Sequence, residues 1–576
     1  MGKAAAAVIS LILVVGAVIG TVVVVKQHNK NGSTAATGGS GMSTGMKAVE
    51  TLCTPAYHPD LCRETLTPLV KSNGNVSPKA FLEASFQAVL KAVNQAMIES
   101  KSLDKDVKNK FDATSLEVCK KYIDYMAEDL EMAINKVSES DMTYMGDFAR
   151  ELNIFLSAVL SYKATCVEEM ENLKLKEALQ GGVLLNTTKL AENGMDIVDG
   201  VAQFLGVTYE VDSDDEDEST EGKPNRRLLD VGEDGYPTWL SASDRKLLQV
   251  KENPLPHVVV SKDGSGQFTT IQEAINSYPA KHKGRYVIYV KEGVYEGNVT
   301  MSHKNVYMYG DGPTKTIVTD KLNYKLMHIQ TSQTATFAAL GHGFMAKSMG
   351  FHNTAGPEGD QAVALLTKSN HSIYHDCIFD GYQDTLYYQA HQSFFHNCSI
   401  YGTIDFIFGR GTALIQKSTI VAKMPLANQQ NIVAADGSVS AKNATGLVIQ
   451  NCKIMGEPTL IANKNIRTYL ARPWGNCSKT IFMESYIPDI IRPEGYLPWN
   501  ITHPNNLTSE FREYNNRGPG ANTAGRVQWP SFKLVTNKHL AKNYTTGHWL
   551  PRSNKWLKDV GFLYDKSFTA PGDLLV

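Results

Sequence analysis

The sequence predicts two unlike domains, an all-α region followed by an all-β parallel β-helix, and three observations carry that expectation. Ser372-Ile-Tyr-His-Asp-Cys377-Ile-Phe is echoed 21 residues later by Ser393-Phe-Phe-His-Asn-Cys398-Ser-Ile. Rung-like segments of the same kind recur at 343–351, 413–420, 446–454 and 479–487. They are short β-branched and aromatic runs set between Gly, Asn and Asp, as strands stacked between turns require. Residues 46–208, in contrast, repeat apolar side chains at steps of three and four, the period of helices.

The chain has 576 residues, 42% hydrophobic and 20% charged, which is ordinary globular composition at a length suited to more than one domain. Residues 4–25 carry no charge and are flanked by Lys3 and by Lys26, His28 and Lys30. A run of that length spans a bilayer, so a signal-anchor into the secretory lumen is expected, with a cleaved signal peptide as the alternative. Between Asn75 and Asn543 ten Asn-x-Ser/Thr sequons occur, a density that suits a secreted chain. Residues 29–45 form a Gly/Ser-rich tether. Within it, Gly41-Met-Ser43-Thr-Gly45 matches a serine-elbow spacing but has neither the preceding strand nor the following helix that such an elbow needs.

In the helical region 46–208, Phe81, Ser85, Val89 and Val93 mark one buried stripe, and Leu152, Phe155, Leu156, Val159 and Leu160 another. Cys53, Cys62, Cys119 and Cys166 are an even set in a lumenal chain, so two disulfides are expected, with three pairings open. Their spacing does not suit a metal site. The acidic run Asp212-Ser-Asp-Asp-Glu-Asp-Glu218 reads as linker, 209–248, between the domains. Two dibasic sites follow in it, Arg226-Arg227-Leu228-Leu229 and Arg245-Lys246-Leu247-Leu248, both exposed to a processing protease.

The net charge of −2 conceals an asymmetry. Residues 1–248 hold 25 Lys and Arg against 36 Asp and Glu, a net of −11, and 249–576 hold 32 against 23, a net of +9. A basic C-terminal half suits a polyanion. It lacks the basic clusters interleaved with aromatics that nucleic-acid binding would show.

Two motifs in residues 249–576 concentrate chemistry: Gly381-Tyr-Gln383-Asp384-Thr-Leu-Tyr387 and Gly402-Thr-Ile-Asp405-Phe-Ile-Phe-Gly409. Asp384 lies seven residues after Cys377, and Asp405 seven after Cys398. On stacked coils that shared offset places the two carboxyls about 4.8 Å apart. Carboxyls so close cannot both ionise freely, so one is expected to keep its proton and act as an acid beside a nucleophile.

The chain resembles plant pectin methylesterases that carry an N-terminal inhibitor-like pro-region. The resemblance rests on both aspartate motifs, Asn353-Thr-Ala-Gly-Pro357, Gln361-Ala-Val-Ala-Leu365, Arg472-Pro-Trp474 and Glu513-Tyr-Asn-Asn-Arg-Gly-Pro-Gly520. In the first half it rests on the four cysteines and Ser157-Ala-Val-Leu-Ser-Tyr-Lys-Ala-Thr-Cys166. It implies a right-handed parallel β-helix behind a four-helix bundle, acting on methyl-esterified homogalacturonan in the cell wall without metal or organic cofactor. By resemblance Asp405 is the nucleophile, Asp384 the proton donor and acceptor, and Gln361 and Gln383 the oxyanion donors. Arg472 pairs with Asp405, while Trp474 and Thr331 contact substrate. The inhibitor-like domain is expected to contact the basic domain and restrain it, or control export, until cleavage. A separate proteinaceous inhibitor is a further expected partner.

Several positions depart from the family pattern: Arg410 for a usual Asn, Ser418 for a Cys that would pair with Cys398, Asp436-Gly437-Ser438 for Gln-Gly-Arg, and Ala471 for Gly. Two other classes remain open on sequence. A close carboxylate pair also suits a retaining glycosidase, and a catalytically weak wall-binding protein would need neither aspartate.

Overall fold

The computed structural model describes residues 42–72, 76–142, 145–206, 253–442, 444–557 and 561–575. The charge-free run 4–25, the acidic linker and both dibasic sites lie outside the described residues. Among the described residues no helix is long and apolar enough to cross a membrane.

The helical domain comprises α1 (Thr44–Cys53), α2 (Pro59–Ser72), α3 (Pro78–Ser100), α4 (Lys110–Glu139), α5 (Met145–Glu168), α6 (Leu173–Ala178) and α7 (Leu185–Phe204). Helix α1 begins inside the stretch expected to be tether, because the Ser43 hydroxyl accepts from the Met46 amide and satisfies one of the unpaired N–H groups of the first turn. Ser77 caps α3 in the same way, with Pro78 in the first turn where its missing N–H costs nothing. Helix α3 packs on α4 and α7, and α5 closes the ring against the same two, giving a four-helix bundle. Phe81, Ser85, Val89 and Val93 are all buried in it. Cys53 pairs with Cys62, tying α1 to α2, and Cys119 pairs with Cys166, tying α4 to α5.

The second domain is a right-handed parallel β-helix of one eleven-stranded and two seven-stranded sheets. The repeated segments become successive neighbours in the eleven-stranded sheet: Met345–Lys347, Ser372–His375, Gln392–His396, Thr412–Gln416, Gly446–Gln450 and Lys479–Met483. Ser372 pairs with Ser393 and His375 with His396, the register of the sequence repeat. Each of these strands from Ser372 onward ends at a corner residue in the left-handed region, Asp376, Asn397, Lys417, Asn451 and Glu484, with φ between 49° and 53°. Short polar side chains tolerate that conformation best, which is why Asn and Asp punctuate the repeat. Inside the coils, side chains stack in columns, such as Tyr374 on Phe395 at 4.8 Å. Ser418 joins one such column, where its Oγ accepts from the Cys398 amide at 3.0 Å. Cys377, Cys398 and Cys452 remain buried free thiols.

Candidate active site

The strands Leu386–Tyr388 and Ile407–Gly409 pair with Leu386 opposite Ile407. Asp384 and Asp405 each precede their strand by two residues, so they stand at one height on adjacent coils, about 4.8 Å apart along the stack. The ladder runs through them: the Asp384 amide donates to the Ile404 carbonyl at 3.0 Å. Both aspartates adopt left-handed backbone, with φ of 65° and 49°. Such conformations are uncommon outside glycine and gather at functional sites.

Arg472 follows the strand Thr468–Ala471, two coils beyond Asp405 in the same sheet. Its Nε lies 2.8 Å from Asp405 Oδ1 and 3.1 Å from Oδ2, and its Nη2 also donates to Oδ2. Burial works against the Arg472 charge, but Asp405 outweighs it and raises the guanidinium's pKa further. Burial, and then the charge of Asp405, pushes the Asp384 carboxyl well above the carboxylate range, with Arg472 pulling the other way. The site therefore sets a protonated carboxyl beside a guanidinium-paired carboxylate, an acid and a nucleophile made from one residue type.

Gln361 and Gln383 sit side by side on adjacent coils, bridged as parallel strands. Thr331, Gln361, Gln383, Asp384, Asp405, Arg472 and Trp474 all line one cavity of about 380 Å³. All seven site residues expected from the sequence thus meet in one place. An aromatic wall completes it: Tyr387 stacks on Phe408 at 4.3 Å, and Phe408 faces Trp474 at 5.9 Å.

The same cavity is lined from the other side by Phe111, Thr165, Glu168, Glu169 and Glu171 of the helical domain. Helix α5 and the turn that follows it deliver four of the five. Ser157, Ser161 and Thr165, spaced by one turn, form a stripe of small polar residues against the β-helix. Ser157 Oγ accepts from the Ala444 amide at 3.2 Å, Ser161 Oγ donates to the Gln389 carbonyl at 2.6 Å, and Thr165 Oγ1 meets the Tyr387 hydroxyl at 3.2 Å. Beyond the stripe, Glu168 pairs with Arg410 at 2.6 Å. Glu169 accepts from the amide and hydroxyl of Ser332, each at 2.8 Å, and Glu171 accepts from Tyr324 at 2.8 Å. Sequence reasoning missed this acidic finger. Its signals were the run Glu168-Glu169-Met170-Glu171 after Cys166 and the opposed charges of the two halves.

A second contact lies further along α4. Buried Asp129 accepts from Tyr162 at 2.9 Å and clasps His391 Nε2 at 2.6 Å and His342 Nε2 at 3.1 Å. The three side chains are close enough to hold a metal ion. Their geometry is also that of ring N–H groups donating to a carboxylate, since His342 Nδ1 accepts from the Asn370 amide at 2.9 Å.

Three of the departures converge beside the cavity. Arg410 Nε donates to the Gly437 carbonyl at 2.8 Å. The Asp436 carboxyl, raised to about 6 by burial, accepts from the Ser438 and Lys479 amides. The Ser438 hydroxyl bonds Thr445 at 2.6 Å.

Comparison with known proteins agrees with this geometry. Residues 257–554 match the family model described as Pectinesterase, and residues 47–197 match that described as Plant invertase/pectin methylesterase inhibitor. A probable pectinesterase/pectinesterase inhibitor 13 of Arabidopsis thaliana is 38% identical over 90% of this chain and 81% of its own length. A probable pectinesterase/pectinesterase inhibitor of Brassica napus is 36% identical over 97% of this chain and 98% of its own. The solved structure of a pectin methylesterase from carrot is 39% identical, covering 55% of this chain and 99% of that one with a TM-score of 0.54. The chain belongs to the pectinesterase family, in the form that carries an N-terminal inhibitor-like domain.

Proposed function

We propose that the β-helix domain hydrolyses the C6 methyl esters of homogalacturonan, releasing methanol, once the helical domain has left its cleft. The observation that carries this reading is the Asp384–Asp405 pair, split by burial and by Arg472, in a cavity whose opposite wall is the acidic finger of the inhibitor-like domain.

In the first step an Asp405 oxygen attacks the ester carbonyl carbon, held in place by the Arg472 fork. Negative charge moves to the carbonyl oxygen, where the Gln361 and Gln383 amides donate. As the C–O bond to the methoxy group breaks, Asp384 gives its proton to departing methanol. That leaves an Asp405 acyl anhydride and an ionised Asp384, which takes a proton from water as the water attacks the acyl carbon. Asp405 leaves as a carboxylate, and Asp384 is protonated again. Trp474, Thr331 and the Tyr387–Phe408 wall support the polysaccharide chain beside the reacting ester.

The helical domain acts as a plug in the uncut precursor, and processing at Arg226–Leu229 or Arg245–Leu248 separates the two in the secretory route to the wall. Domain limits of 46–208 and 249–576 fit this plan, with helices ending at Phe204 and the first β-helix strand at Val258.

The test measures methanol and new reducing ends from highly methylated pectin, using full-length chain before and after cutting the linker. Methanol without reducing ends, greater after cutting, is expected. Asp405→Asn and Asp384→Asn should each lower kcat by at least about a thousandfold. Reducing ends in place of methanol would instead assign a glycosidase, and unchanged release by Asp405→Asn would remove the proposed nucleophile.

A further inference from the structure

With the helical domain docked, Arg410 is 2% exposed, and its guanidinium packs on Trp474, a residue of the cleft wall. Its Nε is held by the Gly437 carbonyl, and its Cζ lies 3.6 Å from the centroid of the Trp474 ring. Its Nη2 reaches both oxygens of Glu168 at 2.6 Å. Its Nη1 is buried and has no hydrogen-bond partner. Glu168 thus supplies the carboxylate for this cation, and Glu168 belongs to the domain that must leave before substrate enters. When it leaves, the backbone carbonyl and the indole keep the guanidinium where it is. The guanidinium has then lost its carboxylate partner, and its N–H groups face the space that Glu168 held, where another carboxylate fits.

Building on the proposed function, we infer that Arg410 is the anchor for a free, non-esterified uronate carboxylate of the same polysaccharide chain, and that Glu168 occupies the anchor in the precursor in place of that carboxylate. Asp405 and Arg410 are five residues apart, so at most about 18 Å of backbone separates them and one oligosaccharide reaches both. The two positions select opposite states of the sugar. Asp405 needs a neutral ester to attack, whereas Arg410 gains from a charge. Each turnover converts an ester into the carboxylate that Arg410 binds.

The experiment uses full-length chain with its linker cut, assayed at nanomolar dilution so that the halves part. Oligogalacturonates of one length, fully methylated and half methylated, are compared by methanol release. Binding of fully de-esterified oligogalacturonate is measured separately, without turnover. The parent should prefer half-methylated oligomers, and Arg410→Gln should reduce that preference, and the binding of de-esterified oligomer, by about tenfold to a hundredfold, chiefly through KM. Arg410→Lys keeps the charge without the fork and should lose several-fold of the preference, which preserves the test should the Gln variant fail to fold. Equal losses on both substrates, or a preference that survives both variants, would overturn the anchor. Arg410-dependent binding without methanol from any substrate would sink the esterase reading and keep the anchor. Methanol without any preference would do the reverse.

Discussion

At the scale of single residues, the site shows how one chemical group acquires two roles. Asp384 and Asp405 have the same side chain, the same turn conformation and matching places on neighbouring coils. What separates them is Arg472, which takes both oxygens of Asp405 and leaves Asp384 facing burial and a like charge. Arg472→Gln is expected to lower kcat about tenfold to a hundredfold by loosening the nucleophile. Its pH profile carries a sign. Arg472 holds Asp384 down, so its removal lets the acid's pKa rise further. The alkaline limb of kcat, where Asp384 loses the proton it donates, should move to higher pH; a limb that moves to lower pH would contradict the assignment. The aspartates were legible in the sequence because the 21-residue repeat is a distance code: equal offsets from Cys377 and Cys398 become equal heights on the stack. Arg472 was legible through its family motif alone, since no local spacing ties it to Asp405 across 67 residues.

At the scale of elements, periodicity told most of the story and missed what depends on docking. The rungs and the bundle stripes follow from side-chain spacing, but the start of α1 turned on one hydroxyl, Ser43, in a stretch whose composition reads as tether. Helix α5 is the more instructive case. Every residue from Glu151 to Tyr162 is buried, a pattern no two-sided amphipathic helix shows. The excess burial belongs to the Ser157, Ser161 and Thr165 face, whose small side chains let the helix approach the β-helix closely. Ser161→Leu overfills that contact, at a cost of about 1–3 kcal/mol. Methanol release by the uncut chain should rise toward that of the cut chain, with both disulfides still formed. Release unchanged from the parent would mean that α5 does not govern access. Within the β-helix, Ser418→Ala strips the Cys398 amide of its buried acceptor and should destabilise that domain by about 1–3 kcal/mol, read as a lower melting temperature. A melting temperature equal to the parent's would show that water or a shifted neighbour replaces the hydroxyl.

At the scale of the whole molecule, the −11 and +9 halves meet through a few partly buried contacts: Arg410 with Glu168, Lys442 with Asp196, Arg552 with Glu151, and the histidine clasp on Asp129. Those contacts make docking sensitive to pH, and the sign differs from group to group. Burial pushes the Glu169 carboxyl up to about 7, although the Ser332 hydrogen bonds favour its charged form. With the domains apart it returns toward its ordinary value of 4.5. Docked protein therefore binds the extra proton between those limits, and this contribution holds the domains together below about pH 4.5 and fades as pH rises toward 7. His342, lowered by burial, and His371, lowered to about 3, act in the opposite sense, because docking makes them shed protons below their ordinary value. Asp129 is held well below the carboxylate range despite its burial, by His391 and His342, so it matters only in more acidic solution. Comparing the parent with Glu169→Gln isolates one group, since the histidines and Asp129 contribute to both. The dissociation constant of cut halves for the parent, divided by that for the variant, should rise at least about tenfold between pH 5 and 7.5. A flat ratio would mean that Glu169 keeps its water when the domains close, and that the acidic finger lies over the cleft without sealing it.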